Sequence, residues 1–242
     1  MTNKRQALVT GANKGIGLAI ARGLAKAGLT VWVGARDQVR GELAVGQLRE
    51  EGHDVHFLAL DVADEASVRN AAQALGSKIK ALDVLVNNAG IAVDMTVPPS
   101  QIRMEDMKAV FEVNLFGPVR VTQAFLPLLK AANQARIVMM GSGVGSLTLI
   151  TDPTSIYSTV NLLDYTSSKV ALSAVTVSFA KELEPFGIKV NVVEPGHVRT
   201  DLNGNSGFLT PDEGAVTAIN ASLLDADGPT GGFFGSHGRQ PW

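Results

Sequence analysis

Short apolar runs alternate along the chain with longer segments in which apolar residues recur every three or four positions. The apolar runs are 7–9, 31–33, 57–60, 84–86, 137–140 and 190–193, and the segments of helical periodicity are 15–28, 38–51, 64–80, 105–131 and 165–184. Fully apolar runs of this length are typical of buried parallel strands, and their alternation with helices is typical of repeated βα units. We therefore predict an α/β fold, in which a doubly wound parallel sheet is covered by helices on both faces in three layers.

The pattern changes after Gly196, where glycines become frequent. We predict a mobile loop over 197–210 that contacts the substrate, a helix over 211–222 and a last strand over 230–235. The sequence contains no internal repeat, charge block or low-complexity linker. Residues 1–242 are therefore expected to form a single domain.

Composition excludes several classes of function. The formal charge is −2, so the chain lacks the basic excess of proteins that bind nucleic acids or anionic membranes. It has no cysteine, and its four histidines lack the spacing of a zinc protease, so we expect neither disulfides nor a bound metal. No signal peptide or membrane-length apolar segment is evident. We expect a cytoplasmic protein with a small-molecule partner.

The first predicted strand is followed by Thr10-Gly-Ala-Asn-Lys-Gly-Ile-Gly17 and then by the first predicted helix. Glycines at this point let the backbone turn tightly and bring free N–H groups of the helix N-terminus close to a pyrophosphate. A purely structural turn is the alternative, but the position between strand and helix favours a Rossmann-type dinucleotide site. The predicted cofactor contacts in this segment are Gly11, Asn13, Lys14, Gly15, Ile16 and Gly17.

The end of the second predicted strand indicates which dinucleotide binds. Folds that bind NAD usually place a carboxylate there, whereas this chain has Ala35 followed by Arg36, with Lys14 available from the glycine-rich segment. Two cations and no acid suit a 2′-phosphate, which favours NADP(H) as the cofactor. The alternative is that both cations are solvated surface charges. Asp37 is expected to cap the following helix.

Polar and small residues also follow the third and fourth predicted strands, namely Asp61 and Val62 after the third and Asn88, Ala89 and Gly90 after the fourth. Taken singly, each could be an ordinary turn residue. Because the carboxyl ends of parallel strands share one edge of the sheet, their common position favours contacts to the nucleotide.

Tyr165 and Lys169 are four residues apart at the start of a predicted helix, so both side chains lie on one face. A tyrosine phenol titrates near about 10, and a nearby ammonium favours its phenolate, as proton transfer at neutral pH requires. The pair alone is a common coincidence. Ser142, just after the fifth predicted strand, adds a hydroxyl that can hold a substrate carbonyl. An esterase nucleophile is the alternative, but the segment does not match Gly-x-Ser-x-Gly.

With these residues the sequence resembles the short-chain dehydrogenase/reductase family over nearly its whole length. The family's glycine pattern matches Thr10, Gly11, Gly15 and Gly17, its Asn-Asn-Ala-Gly motif matches 87–90, its catalytic set matches Asn114, Ser142, Tyr165 and Lys169, and its Pro-Gly motif matches Pro195 and Gly196, followed by Val198 and Thr200.

The resemblance implies a role for each matching residue. Tyr165 would exchange a proton with the substrate oxygen, Lys169 would lower the pKa of that phenol and bind the nicotinamide ribose, and Ser142 would orient the substrate. Asn114 would hold a water molecule of a proton relay. The remaining implied cofactor contacts, around the nicotinamide carboxamide and the phosphates, are Pro195, Gly196, Val198 and Thr200.

Within the family, the glycine-rich segment and Arg36-Asp37 resemble the NADPH-dependent carbonyl reductase subgroup. Ser142 and Tyr165 are 23 residues apart, a longer separation than in the commonest family members, so an insertion lies within 146–163. In some relatives such extra sequence covers the helix used for tetramer formation. A homo-oligomer and a monomer both stay open.

We therefore expect NADPH-dependent reduction of a hydrophobic ketone or aldehyde, reversible to oxidation of a secondary alcohol, with Tyr165 as proton donor and acceptor. The alternatives are a non-catalytic NADP(H)-binding sensor and an epimerase or dehydratase that retains its nicotinamide. The candidate residues of an apolar substrate pocket are Ile91, Val93, Met140, Val144, Tyr157, Leu202, Phe208 and Trp242.

Overall fold

The computed structural model describes residues 4–242. Within them, eight strands form one sheet: β1 (Gln6–Thr10), β2 (Thr30–Ala35), β3 (Val55–Ala59), β4 (Val84–Asn87), β5 (Arg136–Met140), β6 (Lys189–Val193), β7 (Phe233–Gly235) and β8 (Gly238–Arg239). The strand order is β3-β2-β1-β4-β5-β6-β7-β8, and all neighbours are parallel except the antiparallel pair β7 and β8. The predicted α/β class and doubly wound parallel sheet are confirmed.

Helices cover both faces of the sheet: α1 (Gly15–Lys26), α2 (Gln38–Glu50), α3 (Glu65–Gly76), α4 (Met104–Phe111), α5 (Gly117–Lys130), α6 (Leu147–Thr151), α7 (Leu163–Leu183) and α8 (Pro211–Ser222). Because successive strand residues point to opposite faces, Leu8 packs in a core with α3, α5 and α7, and Val9 packs in a second core with α1, α2 and α8. No helix within residues 4–242 is long and apolar enough to cross a membrane.

Several element bounds differ from the sequence-based predictions. The predicted helix over 105–131 is interrupted by a π-helical turn at Glu112–Phe116. The strand predicted over 230–235 begins at Phe233, because Gly231 has a φ of +66°, outside the extended region, and the following β8 was not predicted. The predicted helix over 64–80 ends at Gly76, and α6 within the insertion was not predicted.

The direction of chain progression reverses between β1 and β4. The chain passes from β1 outward to β2 and β3, then crosses back to place β4 on the other side of β1. In open α/β sheets, ligands bind in the crevice beyond the carboxyl ends of the strands at such a switch point. We therefore expect a ligand-binding site at the carboxyl edge of the sheet near β1, β4 and β5.

Candidate active site

The glycine loop, residues 10–17, connects β1 to α1 at the carboxyl edge of the sheet. Gly11 has a φ of +63°, and a Cβ at this position would lie 2.9 Å from the Cα of Ala89. A Cβ on Gly17 would collide with the side-chain amide of Asn88. The absence of side chains at these two glycines thus lets the loop pack directly against the end of β4.

Hydrogen bonds between Thr10 and Asn88 join the glycine loop to the end of β4. The Oγ1 of Thr10 accepts from the backbone N–H groups of Asn88 and Ala89, both at 3.0 Å. The Nδ2 of Asn88 donates to the carbonyl oxygens of Thr10 at 2.8 Å and Gly11 at 3.2 Å. The Asn88 side chain therefore holds the glycine loop in place, a role that the sequence did not indicate.

The end of β2 presents the cation that the sequence predicted. Arg36 is exposed directly after β2, whereas Ala35 is buried. Asp37 caps α2, as predicted, because its Oδ1 accepts from the backbone N–H of Arg40 at 3.0 Å. That bond, together with the Arg40 side chain, lowers the pKa of Asp37. Arg36 is thus exposed at the end of β2, while the neighbouring acid, Asp37, is engaged by Arg40.

Lys14 forms an ion pair that the sequence did not indicate. Its Nζ donates to the Oδ2 of Asp201 at 2.5 Å, across 187 positions of sequence. Beside this pair, a Cβ on Gly15 would lie 3.6 Å from the Cγ2 of Thr200. Within the glycine loop, exposed or partly exposed residues include Asn13, Lys14, Gly15 and Ile16. The segment after β6 therefore packs against the glycine loop.

Asp61 and Val62 form a turn after β3. The Oδ1 of Asp61 accepts from the N–H of Ala63 at 3.0 Å, and the N–H of Asp61 donates to the Oγ of Ser67 at 2.9 Å. Val62 is buried against Gly117, where a Cβ would lie 3.0 Å from the Cγ2 of Val62. The Val62 side chain belongs to the core, and Asp61 presents the partly exposed carboxylate at this edge.

Ser142, Tyr165 and Lys169 come together at the carboxyl end of β5. Tyr165 and Lys169 lie in the first turns of α7, and the Nζ of Lys169 is 5.5 Å from the centroid of the Tyr165 ring. The Ser142 side chain lies next to the Tyr165 phenol and lowers the pKa of that phenol. The Nζ of Lys169 also donates to the carbonyl oxygen of Met140 at 2.8 Å. These three side chains, predicted from separate segments, form one cluster, which we call the proton-transfer cluster.

Burial shifts the pKa values of both titratable members of the proton-transfer cluster. Burial raises the pKa of Tyr165 to about 12, and the nearby Ser142 side chain lowers it by a smaller amount. The net shift is upward, so the lowering by Lys169 that the resemblance implied is not seen. Burial alone lowers the pKa of Lys169 to about 8. Both shifts follow from the cost of a charge in a poorly solvated place. At neutral pH the phenol therefore holds its proton and the lysine holds its charge.

Two glycines after Ser142 leave room for the side chains that surround it. A Cβ on Gly143 would collide with the ring of Tyr157, and one on Gly145 would lie 3.1 Å from the Cβ of Lys169. The loop that carries Ser142 is thus packed between the insertion on one side and α7 on the other. This packing limits how far the serine hydroxyl can move.

Asn114 occupies the centre of the π-helical turn Glu112–Phe116 and is 1% exposed. Its Oδ1 accepts from the N–H of Ile91 at 2.8 Å, and its Nδ2 donates to the carbonyl oxygen of Ile91 at 2.9 Å and to the Oγ of Ser168 at 3.2 Å. A Cβ on Gly90 would lie 3.4 Å from the Oδ1 of Asn114 and 3.7 Å from the Nζ of Lys169. Asn114 therefore ties the segment after β4 to α7 beside the proton-transfer cluster.

The Pro-Gly motif follows β6 and starts the segment that was predicted to be a mobile loop. Gly196 after Pro195 has a φ of +76°. Val198 is buried and pairs in a short β-bridge with Leu209. The two ends of the 197–210 segment are thus held together, which the glycine content of the sequence did not predict.

The turn inside this segment is capped by its own side chains. The Oδ1 of Asn203 accepts from the N–H of Thr200 at 3.3 Å, and the Nδ2 of Asn203 donates to the carbonyl oxygen of Val198 at 2.9 Å. These bonds fix Thr200 next to the glycine loop. Leu202 and Phe208, on the same segment, are 38% and 71% exposed.

The candidate pocket residues divide into two groups. Met140 packs in the core with α1 and α8, because it lies on the opposite face of β5 from α7, and its prediction as pocket lining is wrong. Val144 is also buried. Members with exposed or partly exposed surface are Ile91, Val93, Tyr157, Leu202, Phe208 and Trp242.

Trp242 packs back over the region of the insertion. Its ring stacks on Phe233 with centroids 5.9 Å apart, and its carbonyl oxygen accepts from the N–H of Thr148 in α6 at 3.0 Å. The C-terminal segment thus lies beside 146–163. Within residues 4–242, the His, Asp and Glu side chains form no group of three or more that could hold a metal ion.

Comparison with known proteins gives one consistent result. A sequence profile described as short chain dehydrogenase matches residues 5–207. The chain is 34% identical to carbonyl reductase [NADPH] 1 of Macaca fascicularis, with 98% of each chain covered. It is 33% identical to (+)-neomenthol dehydrogenase of Capsicum annuum, with 96% of each covered. The structure of an NADPH-bound carbonyl reductase from chicken fatty liver superposes with a TM-score of 0.86 at 30% identity, covering 99% of this chain and 100% of that one.

Proposed function

The chain belongs to the short-chain dehydrogenase family of oxidoreductases, and from this premise we propose that it reduces a hydrophobic ketone or aldehyde with NADPH and, in reverse, oxidises the matching secondary alcohol. The observation that carries the proposal is the proton-transfer cluster of Ser142, Tyr165 and Lys169 at the edge where the glycine loop also lies. A protein that only bound a nucleotide would need no buried phenol beside a lysine.

The described residues suit NADP(H). Gly11 in a left-handed conformation and the N-terminal turn of α1 would form a cradle for a pyrophosphate, since Gly15 and Gly17 bring no side chain to that turn. Exposed Arg36 stands where a carboxylate would favour NAD, and it can bind a 2′-phosphate in bidentate fashion. When bound, the cofactor supplies the hydride.

Tyr165 supplies the proton. Its pKa of about 12 keeps the phenol protonated at neutral pH, as an acid for carbonyl reduction must be. Ser142, beside the phenol, would donate its single hydroxyl proton to the carbonyl oxygen and hold that oxygen near Tyr165. Charge develops on the phenol as the proton leaves, and the ammonium of Lys169 stabilises it.

We propose that Asn114 acts as a positioning residue. The side-chain Oδ1 and Nδ2 of Asn114 are already hydrogen-bonded to Ile91 and Ser168. The relay water implied by the family resemblance would therefore be bound by neighbouring groups, which Asn114 holds in position. The end of β4 and the start of α7 share this anchor. Its loss would displace Gly90 relative to Lys169.

The test follows NADPH oxidation by its absorbance with a panel of hydrophobic ketones, aldehydes and quinones. Turnover of several members supports the proposal. Tight NADPH binding without turnover across a broad panel would overturn it in favour of a sensor, and exchange of configuration without net NADPH consumption would favour an epimerase.

A further inference from the structure

The Glu194 carboxylate lies at the carboxyl end of β6, immediately before Pro195, in a partly buried place. Its Oε2 accepts a hydrogen bond from the Oη of Tyr157 at 2.9 Å. A Cβ on Gly235 would lie 2.6 Å from the Oε1 of Glu194 and 2.9 Å from the Nε2 of Gln240. The polar neighbours of the carboxylate thus include a phenol and an amide, both of them neutral.

No ion pair within residues 4–242 involves Glu194. A partly desolvated carboxylate is costly unless a cation or several hydrogen-bond donors compensate it. The phenol of Tyr157 cannot supply the missing charge. Burial and the adjacent Glu194 both raise the pKa of Tyr157, so it stays neutral.

Tyr157 connects this carboxylate to the proton-transfer cluster. Its ring packs so closely on Gly143 that a Cβ there would collide with it, and Gly143 directly follows Ser142. The Tyr157 side chain therefore contacts both the loop that carries Ser142 and the Glu194 carboxylate. A molecule whose carbonyl oxygen lies at Ser142 would extend along the aromatic face of Tyr157 towards the acid.

Aromatic rings lie on the strand next to Glu194, although the Gln240 amide is also close. Phe233 in β7 stacks with Trp242, and the backbone N–H of Glu194 donates to the carbonyl oxygen of Phe234 at 2.9 Å, so the acid lies on the strand next to these rings. Tyr157 and Trp242 keep accessible ring surface that suits a hydrocarbon skeleton, and aromatic faces also attract ammonium groups.

We propose that Glu194 selects substrates that carry a protonated amine, so that the preferred substrate class is a hydrophobic aryl ketone bearing an ammonium group remote from the carbonyl. The inference rests on the proposed carbonyl reduction and adds a specificity-determining residue to it. The ammonium would pair with the carboxylate while the carbonyl lies at Ser142 and Tyr165. A charge-assisted hydrogen bond is stronger than a neutral one, so a ketone with an ammonium group should bind better than an uncharged ketone of the same shape.

The test compares two ketones of nearly equal shape. para-(Dimethylaminomethyl)acetophenone carries a protonated amine at neutral pH, and para-isobutylacetophenone replaces that nitrogen with carbon. The wild-type protein should favour the amine by about tenfold in kcat/KM, and Glu194→Gln should remove most of that preference. Glu182→Gln, which makes the same charge change on the exposed face of α7, should keep the preference.

Binding is measured separately from turnover. Calorimetric titration of each ketone into the protein saturated with NADP⁺, with which a ketone cannot react, should show the same preference and the same loss in Glu194→Gln. Equal binding of both ketones by the wild type would overturn this inference. Failure to reduce either ketone, with the binding preference intact, would count against the proposed reaction and leave the cation site standing.

The variant Tyr157→Phe distinguishes a cation-binding role of Glu194 from a purely structural role of the hydrogen bond between Tyr157 and Glu194. This variant removes the phenol hydrogen bond but keeps the charge of Glu194, so the preference for the amine should persist. If Tyr157→Phe and Glu194→Gln impair both ketones to the same extent, the pair only supports the Ser142 loop and the inference is wrong.

Discussion

The proton-transfer cluster differs in its surroundings from the charged rim of the glycine loop. The rim consists of Lys14, Arg36 and Asp201. The cluster is packed against α7 and the insertion, and its titratable groups have shifted pKa values because they are buried. The rim is exposed, and its ion pair lies in water. Burial therefore fixes the groups that we propose carry the chemistry, whereas the exposed charges can rearrange when a phosphate binds.

The first prediction breaks the cluster. Tyr165→Phe removes the proton donor while preserving the shape of the ring, so kcat for ketone reduction should fall by about a thousandfold. The dissociation constant for NADPH, measured by fluorescence titration, should change less than about threefold because the rim is intact. Retention of even a tenth of the wild-type rate would contradict the assigned role.

The second prediction breaks the rim. Arg36→Ala should weaken NADPH binding by about ten- to a hundredfold, since a charge-assisted contact to the 2′-phosphate is lost. NADH has no 2′-phosphate, so its affinity should stay nearly constant. Calorimetry with both cofactors checks this, with Arg40→Ala as a neighbouring control that keeps Arg36. An equal loss for both cofactors would show that Arg36 supports the loop generally.

A third prediction uses the pH response of the buried lysine. The pKa of Lys169 is about 8, so the ammonium that stabilises the phenolate is lost as the pH rises above that value. The kcat/KM for ketone reduction should thus be constant at pH values below the pKa of Lys169, and it should be about tenfold lower one pH unit above that pKa. A profile measured at constant ionic strength tests this. A rate that stays level until the phenol itself ionises would mean that Lys169 carries no such role.

The smallest expected effect concerns the ion pair of the rim. Asp201→Asn releases Lys14 for the 2′-phosphate, and NADPH affinity should rise by about two- to threefold, more at low salt, because exposed ion pairs are weak. NADH affinity should not follow. Weaker NADPH binding in this variant would show that the pair instead holds the 197–210 segment in its binding conformation.

The sequence predicted best what depends on local pattern. Strand positions followed from apolar runs, and the residues of the proton-transfer cluster followed from their places after strand ends and in α7. It predicted poorly what depends on one residue or on distant partners. The π-helical turn around Asn114 adds a single residue to a helix whose periodicity looks regular, and the partners Lys14 and Asp201 are 187 positions apart.

The contacts of the insertion, residues 146–163, were likewise not predictable from the sequence. Nothing in the spacing of 146–163 indicates that Tyr157 packs on Gly143 or bonds to Glu194, because both contacts are made across the fold. The predicted mobility of 197–210 was inferred from glycines and solvent-facing residues. The bridge between Val198 and Leu209 that closes the segment depends on backbone geometry, which side-chain patterns do not encode.

The bonds between Thr10 and Asn88 also have a consequence for the order in which the molecule folds. They join residues 78 positions apart, and β1 lies inside the sheet between β2 and β4. Pairings of such separation form late, because the entropy of loop closure is lost before the contact stabilises anything. A nascent chain that ends before β4 has a glycine loop with no partner to shape it. The nucleotide would therefore bind the completed sheet and slow its unfolding, without guiding the steps that build it.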